Sequence, residues 1–175
     1  MLCRMKKKSS APRDPPRVLG WREWVGLPDL GVGAIKAKLD TGARSSALHT
    51  FDVETFRKRG RSMVRFAVHP IQRSNLNSLV CEAEVVDERE VRSSSGTLQK
   101  RLVIATTVSL METEHSIELT LARRDQMGFR LLLGRQALAH RFLVDSGRSF
   151  LDSPGGKQQR RSLKKPRLQK KRRSP

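Results

Sequence analysis

The chain is poor in several residue types, and each shortage argues against a class of protein. Its 175 residues include two cysteines and no tyrosine, and only 5% are aromatic. Cys3 lies in a basic terminal segment and Cys81 in a predicted strand, so we expect no disulfide framework, and a reducing cytoplasm is the simplest location. No apolar run approaches the length of a transmembrane helix, and none follows the basic N-terminal residues as a secretion signal requires. We therefore predict a cytoplasmic protein with no membrane partner.

Motifs for zinc and for ATP are also missing. The chain has no His-Glu-x-x-His pair and no Gly-x-x-x-x-Gly-Lys-Ser/Thr phosphate loop. Its histidines are scattered, at His49, His69, His115 and His140. Glu112, Glu114 and His115 are close in sequence, but alternating side chains of a strand do not converge on one ion. We predict no metal and no other cofactor, with a distributed zinc site as the alternative.

Acidic residues are scarce at both ends of the chain. Of 36 Lys and Arg and 17 Asp and Glu, residues 1–17 hold six basic and one acidic, and residues 157–175 hold ten basic and none acidic. The segment between them has a net charge of only +4. Blocks of like charge with few apolar residues cannot offset the entropy of ordering, which predicts disordered basic tails over 1–17 and 153–175. Residues 18–152 remain for one domain.

Residues with high strand propensity dominate this central segment. Alternating or β-branched stretches predict strands over 18–25, 34–39, 62–68, 79–86, 100–110 and 115–121. A helix is predicted over 135–141, and a second is considered over 53–59. Trp21 and Trp24 are expected on opposite faces of the first strand, with at least one in the core. Short strands and turns favour an all-β barrel or sandwich with one short C-terminal helix.

The segment 87–96 lies between two predicted strands and has two interpretations. It carries both acidic and basic side chains and ends in Arg-Ser-Ser-Ser-Gly. One interpretation is a hairpin flap that closes over a substrate, and the other is a solvated hairpin without that role.

One short motif carries recognisable chemistry. Residues 37–45 read Ala-Lys-Leu-Asp-Thr-Gly-Ala-Arg-Ser, which places Asp40 at the end of an apolar-leaning strand. Aspartic proteases present a catalytic carboxylate in this way, and their reaction needs two carboxylates that share one proton. The Thr41 hydroxyl can fix the turn, and Gly42 allows a sharp loop and a close approach of the backbone. An ordinary Asp-Thr-Gly turn without function is the alternative.

A second motif follows about ninety residues later, at the spacing found in small aspartic proteases. Residues 129–135 read Phe-Arg-Leu-Leu-Leu-Gly-Arg and lead into the predicted helix. The two motifs together resemble those of retropepsins, the single-lobe aspartic proteases of viral type. The resemblance implies a homodimer in which each chain supplies one Asp40. It also implies that Gly134 and Arg135 support the site, with Arg135 bridging the helix start and the Asp40 loop.

The resemblance covers roughly residues 18–152. The segments that carry it are 20–25, 35–49, 64–66, 69–70, 125–130 and 141–145. They are similar to a bacterial family called ATP-dependent zinc proteases, whose members often accompany ATP-grasp ligases that add glutamate to a ribosomal protein. The resemblance implies a retropepsin-like barrel and peptidase activity, whereas the zinc and ATP of the family's name have no motif in this chain.

Two residues near these motifs have competing interpretations. Arg44 stands where viral retropepsins usually carry an acidic residue that binds substrate backbone, so Ala43 and Arg44 are predicted to bind substrate, with a preference for acidic groups. The alternative is that Arg44 pairs with an acidic residue of its own chain. Asp145 opens an Asp-Ser-Gly sequence and is predicted to form a surface turn. As a second catalytic residue it would form the dyad within one chain, but the domain is too short for two lobes.

The sequence therefore predicts a homodimeric aspartic endopeptidase with the catalytic loop Asp40, Thr41 and Gly42. Its expected substrate is a peptide or protein, with acidic or glutamate-modified chains favoured. Two other functions stay open. One is a non-catalytic regulator or scaffold of a glutamate ligase. The other is a ribosome-associated or RNA-associated protein that acts through its basic tails, because clustered Lys and Arg bind phosphates.

Overall fold

Strands account for most of the chain that the computed structural model describes, which comprises residues 15–71, 78–92, 96, 98–123 and 128–152. In chain order the elements are β1 (Arg17–Gly20), β2 (Arg22–Leu27), a 3-10 helix (Pro28–Leu30), β3 (Val32–Asp40), β4 (Ser46–His49), β5 (Phe51–Lys58), β6 (Arg61–Val68), β7 (Leu79–Arg92), β8 (Leu98–Leu110), β9 (Thr113–Ala122), β10 (Leu131–Gly134), α1 (Arg135–Leu138) and β11 (Phe142–Asp145). The predicted all-β fold with one short C-terminal helix is confirmed. Of the tails predicted to be disordered, 1–17 and 153–175, residues 1–14 and 153–175 lie outside the described ranges, whereas Arg17 is the first residue of β1, so the first tail was predicted too long.

Nine of the described strands form one sheet in the order β2-β3-β10-β4-β9-β8-β7-β6-β5. An additional pairing of β2 with β8, at Gly26 and Ser109, curls this sheet into a partly closed barrel. β10 lies between β3 and β4, parallel to β3 and antiparallel to β4. Because parallel strands run in the same direction, β3 and β10 end side by side, with Asp40 in register with Gly134. The two sequence motifs therefore meet at one edge of the sheet.

The core lies inside this curved sheet. Burial alternates along β2, where Glu23, Val25 and Leu27 are enclosed and the residues between them are half-buried. The largest fully enclosed apolar side chains come from β1, which pairs with β11 in a separate two-stranded sheet, and from strands of the nine-stranded sheet: Phe66, Leu19, Leu27, Ile35, Leu48, Ile104, Leu119, Leu131 and Leu133. Helices in the described part of the chain are all too short or too polar to span a membrane.

The two tryptophans do not lie in the core, so that prediction is wrong. Trp21 lies at a bend between β1 and β2, where the alternation of buried and half-buried side chains begins again. The side chains of Trp21 and Trp24 are both half-buried. Trp21 packs edge-on against Phe129 with 5.7 Å between ring centroids, and Trp24 stacks on Phe150 at 6.4 Å. The buried position of β2 between the two tryptophans is occupied by Glu23, which is fully enclosed.

The helix considered over 53–59 is also wrong, because this segment is strand β5. β5 pairs antiparallel with β6, and Lys58 lies opposite Arg61. The two residues between them, Arg59 and Gly60, both have positive φ, of 52° and 79°. Two consecutive positive φ values are typical of the tight turn that joins hairpin strands.

Most of the predicted flap segment 87–96 is paired strand. β7 continues to Arg92 and pairs with β8 as far as Leu98. An ion pair of 2.8 Å joins Lys100 to Glu88 across the hairpin, and one of 2.6 Å joins Arg89 of β7 to Glu118 of β9. Residues 93–95 and 97 lie outside the described ranges. Closure of this hairpin over a substrate stays a prediction.

Candidate active site

The Asp40 loop connects the end of β3 to the start of β4. Asp40 is half-buried, whereas Thr41 and Gly42 are exposed. The backbone N–H of Ala43 donates to Asp40 Oδ1 at 3.3 Å, which ties the carboxylate to its own loop. Gly42 does not use a left-handed backbone, since its φ is not positive. Its small size matters for space, because a Cβ there would lie 3.4 Å from Asp40 Oδ1.

Gly134 packs directly against the other end of the same loop. A Cβ at Gly134 would lie 2.4 Å from the carbonyl oxygen of Ser45 and 2.8 Å from that of Arg44. Its N–H donates to the hydroxyl of Ser46 at 3.1 Å, at a buried position. β10 can therefore approach the loop this closely only with glycine at its last position.

Arg135 binds the loop from the start of α1. Its Nη1 donates to the carbonyl oxygens of Thr41 and Gly42, at 3.1 and 2.9 Å. Its backbone N–H donates to Ala43 O at 2.9 Å, and the next N–H of α1 donates to Arg44 O at 3.1 Å. Four consecutive loop carbonyls thus have donors from one helical turn. The guanidinium bridges the helix start and the Asp40 loop.

The sequence did not single out Ser46, although this residue locks two parts of the site together. Ser46 is buried, with 1% of its surface exposed. Its hydroxyl accepts from Gly134, and its carbonyl oxygen accepts from the hydroxyl of Thr120 on β9 at 2.9 Å. The available signal was a serine six residues after Asp40, at the start of an apolar strand.

The substrate-binding candidates lie at the surface of the loop. Arg44 is exposed, and within the described ranges it makes no ion pair. The alternative in which an acidic residue of the same chain pairs with Arg44 has no support there. Ala43 is half-buried beside it.

Asp145 occupies a different place from Asp40. It ends β11, where it is in register with Gly20 of β1. Its Oδ1 accepts the N–H of Gly147 at 2.8 Å, and its Oδ2 lies 3.4 Å from Arg148 Nε. A side chain that accepts from the N–H two residues ahead forms a local turn of the Asx type. The predicted turn is present.

The side chains of the described residues do not fit a zinc site. Nowhere in these ranges do three or more His, Cys, Asp or Glu residues come close enough to hold a metal ion. His49 and His69 flank the ring of Phe51, at centroid distances of 4.3 and 4.5 Å. His115 Nε2 is 3.0 Å from the carbonyl oxygen of Ala137. The absence of metal from the reaction stays a prediction.

A strand end carrying Asp-Thr-Gly, braced by a Gly-Arg pair from a neighbouring parallel strand and its following helix, defines a retropepsin-like aspartic protease fold. Residues 18–154 match the family described as RimB-like, retropepsin-like aspartic endopeptidase RimB. The chain belongs to this family. The resemblance found in the sequence is thereby confirmed.

Relatives of the chain include longer proteins with a different name. Proteins named probable alpha-L-glutamate ligase from Shewanella halifaxensis and Shewanella pealeana are 45% and 46% identical over 133 residues, which are 76% of this chain and 29% of each relative. One of the same name from Parasynechococcus marenigrum is 43% identical over 128 residues, 73% of this chain and 28% of the relative. The chain thus spans less than a third of these relatives.

A solved structure shares the fold. The crystal structure of Lpg0085, a Legionella pneumophila protein of unknown function, superimposes with a TM-score of 0.66 at 28% identity. The match covers 78% of this chain and 98% of that protein. The barrel and its short helix therefore occur in that protein as nearly its whole length.

Proposed function

We propose that the protein is an aspartic endopeptidase that acts as a homodimer, with a catalytic dyad made of Asp40 from each of two copies. The observation that carries the proposal is the Asp40 loop itself. Its carbonyls are held by Arg135 and α1, yet Asp40 is only half-buried and Thr41 is exposed. A rigid loop that presents one carboxylate at the surface of one chain suits a site that a second copy completes.

The chemistry follows from two carboxyl groups held close together. Two carboxyl groups this close together cannot both ionise easily, because their negative charges repel each other, so the pair shares one proton. The ionised carboxylate takes a proton from a water molecule as the water oxygen attacks the scissile carbonyl carbon. The protonated carboxyl of the other copy donates a hydrogen bond to the carbonyl oxygen. The tetrahedral intermediate then collapses, and a carboxyl proton passes to the leaving amine nitrogen.

Arg44 supports an acidic substrate. It lies four residues after Asp40, is exposed, and makes no ion pair within the described ranges. A guanidinium can hold a carboxylate through two parallel hydrogen bonds. The relatives named as glutamate ligases agree with a substrate rich in glutamate. We infer that peptides with glutamate close to the scissile bond, such as glutamate-modified protein tails, are the preferred substrates.

The test is peptide cleavage by wild type and by Asp40→Asn, with Asp145→Asn as the matched control. Both aspartates open an Asp-(Thr/Ser)-Gly sequence, but only Asp40 is proposed to act in the reaction. We expect Asp40→Asn to abolish cleavage while the fold and the dimer persist, because the amide keeps the shape and cannot share the proton. Asp145→Asn should retain most activity. Undiminished cleavage by Asp40→Asn would contradict the proposed mechanism.

The same assay tests the substrate. Removing the guanidinium in Arg44→Ala should reduce cleavage of an acidic peptide more than that of a neutral one, by about 1 to 3 kcal/mol in activation free energy. The quantity to compare is the ratio of the two kcat/KM values in wild type and variant. If this ratio is the same in both, Arg44 does not select acidic substrates, whatever Asp40 does.

A second candidate function has its own observation. The chain matches part of longer polypeptides named as ligases, so the domain occurs in one chain with other sequence. This favours a regulator or scaffold that acts on a ligase without cleaving peptides. Such a role predicts that Asp40→Asn still alters the rate of a purified glutamate ligase as wild type does. Loss of that effect in the variant would favour the peptidase.

A further inference from the structure

A cleft of about 600 Å³ lies between the β2–β3 connection and the β8–β9 turn. Its walls include Trp24, three glycines (Gly26, Gly31 and Gly33), Ser109 and Met111. Of the residues placed in the Asp40 site, none lines this cleft. A Cβ at Gly31 or Gly33 would meet nothing within 4 Å, so the space over these two glycines is open to a long side chain from elsewhere, whereas Gly26 packs against Ser109.

The cleft is acidic in a strongly basic protein. The chain has a formal net charge of +19, yet the described charged residues that line the cleft are Glu112, Glu114 and Asp152. Glu112 and Glu114 are exposed, and neither makes an ion pair within the described ranges. Two cations lie beside the cleft in the described part of the chain: Arg17 Nη1 donates to Met111 O at 2.5 Å, and Lys36 Nζ lies 5.9 Å from the ring centroid of Trp24. The described charged residues that line the cleft itself are all carboxylates.

The position of Asp152 connects this cleft to the basic C-terminal segment. Asp152 lines the cleft, and its Oδ2 accepts the N–H of Met111 in the β8–β9 turn at 2.7 Å. Residues 153–156, Ser-Pro-Gly-Gly, are uncharged, and the basic segment begins at Lys157. Five residue steps span at most about 18 Å, so Lys157 cannot leave the neighbourhood of the cleft.

We propose that the basic segment 157–175 binds in this cleft of its own chain. It carries ten basic residues and no acidic one, which complements the three carboxylates. Single exposed ion pairs are weak, but a short tether raises the local concentration of the segment to about the millimolar range. The apolar stems of long basic side chains can also pack over Trp24, Gly31 and Gly33.

Binding of this kind regulates what the basic segment can reach. Lys and Arg side chains that contact the cleft are not available to phosphates of a nucleic acid. A polyanion must therefore compete with the cleft for the segment, and screening by salt weakens both contacts. This regulation is independent of the chemistry proposed for Asp40.

Paramagnetic relaxation in the full chain tests the proposal. A nitroxide attached at Ser162→Cys, in a Cys3→Ser background, should broaden the amide resonances of Gly31, Gly33 and Glu112 at low ionic strength, about 20 mM, and broaden them severalfold less at about 500 mM. The remaining cysteine, Cys81, is buried and donates to Leu30 O, so it does not compete for the label.

Charge-matched variants provide the decisive comparison. Glu112→Gln with Glu114→Gln should reduce the broadening severalfold, whereas Glu54→Gln with Glu90→Gln changes net charge equally at exposed sites that do not line the cleft. The cleft variant should also bind single-stranded RNA severalfold more tightly than the control variant. Equal broadening in the two variants would overturn the proposal. A mixture of two chains gives a second check, in which one chain carries the nitroxide and the other is isotopically enriched without a nitroxide. If the enriched chain is broadened as strongly as in the single-chain experiment, the proposal is also overturned, because the segment would then come from a second copy.

Discussion

At the scale of single residues, Glu23 has the most unusual environment for its residue type. It is fully buried, and its Oε1 accepts the N–H groups of Gly20 at 2.7 Å and Leu151 at 2.8 Å. It thereby joins the start of β2 to the segment that follows β11. Burial raises the pKa of Glu23 above its ordinary value, and hydrogen bonds from the backbone of Gly20, Leu151 and Asp152 oppose this only in part. The folded protein therefore holds this proton more firmly than the unfolded chain does.

This raised pKa predicts a pH-dependent stability. The contribution of Glu23 to the free energy of unfolding is fully present below its unfolded pKa of about 4.5. It is lost as the pH rises through the higher pKa of the folded state. Glu23→Gln cannot ionise, so its free energy of unfolding relative to wild type should increase with pH over that window, by about 1.4 kcal/mol per unit of pKa difference. Denaturant unfolding at several pH values between 4 and 7 measures this, with about 0.5 kcal/mol as the useful resolution. If the free energies of unfolding of wild type and Glu23→Gln change with pH by the same amount, the raised pKa of Glu23 is contradicted.

The contacts around the Asp40 loop could be predicted from the sequence better than the buried residues could. Asp40, Gly134 and Arg135 could be predicted because two motifs with fixed spacing specify them. Burial of Glu23 could not, since its position in β2 depends on the bend at Trp21 and on N–H groups from a segment far along the chain. Long-range contacts of this kind leave no local pattern in the residues around them.

At the scale of elements, the close approach of β10 to the Asp40 loop is the feature that positions the site. Gly134→Ala would place a Cβ 2.4 Å from Ser45 O and 2.5 Å from Ser45 C, both backbone atoms. Such overpacking costs about 1 to 3 kcal/mol, because β10 or the loop must move. We expect a lower free energy of unfolding in denaturant titrations and a loss of peptide cleavage. Gly33→Ala on β3 is the control, since a Cβ there meets nothing within 4 Å. A Gly134→Ala protein as stable as this control would refute the packing argument.

Some strands could be predicted from the sequence, and others could not. Long alternating stretches such as 62–68 and 100–110 correspond to β6 and β8 within two residues at each end. β5 was mistaken for a helix because Phe51–Lys58 mixes apolar and charged residues without a clear period, and its pairing with β6 decides its structure. The turn at Arg59 and Gly60 was the missed local signal.

At the scale of the whole molecule, the question is what completes a site with one aspartate loop. Thr41 and Arg44 are exposed at this loop, and the donors that brace it come from α1 and β10 of the same chain. A second copy can therefore approach without disturbing the supports. The proposed dimer places catalysis under the control of association, whereas the cleft with Glu112 and Glu114 concerns a different surface.

A site shared between two chains predicts that specific activity falls on dilution and that an inactive copy poisons the active one. With a ninefold excess of Asp40→Asn and free exchange of subunits, wild-type pairs are about 1% of all dimers. The rate should then drop to about a tenth of that given by the same amount of wild type alone. An equal excess of Asp145→Asn should not lower the rate, because this variant keeps Asp40. Peptide cleavage measured alongside sedimentation gives the rate and the assembly state together. If the rate in the Asp40→Asn mixture equals that of the same amount of wild type alone, and activity persists where only monomers sediment, one chain suffices and the shared dyad is wrong.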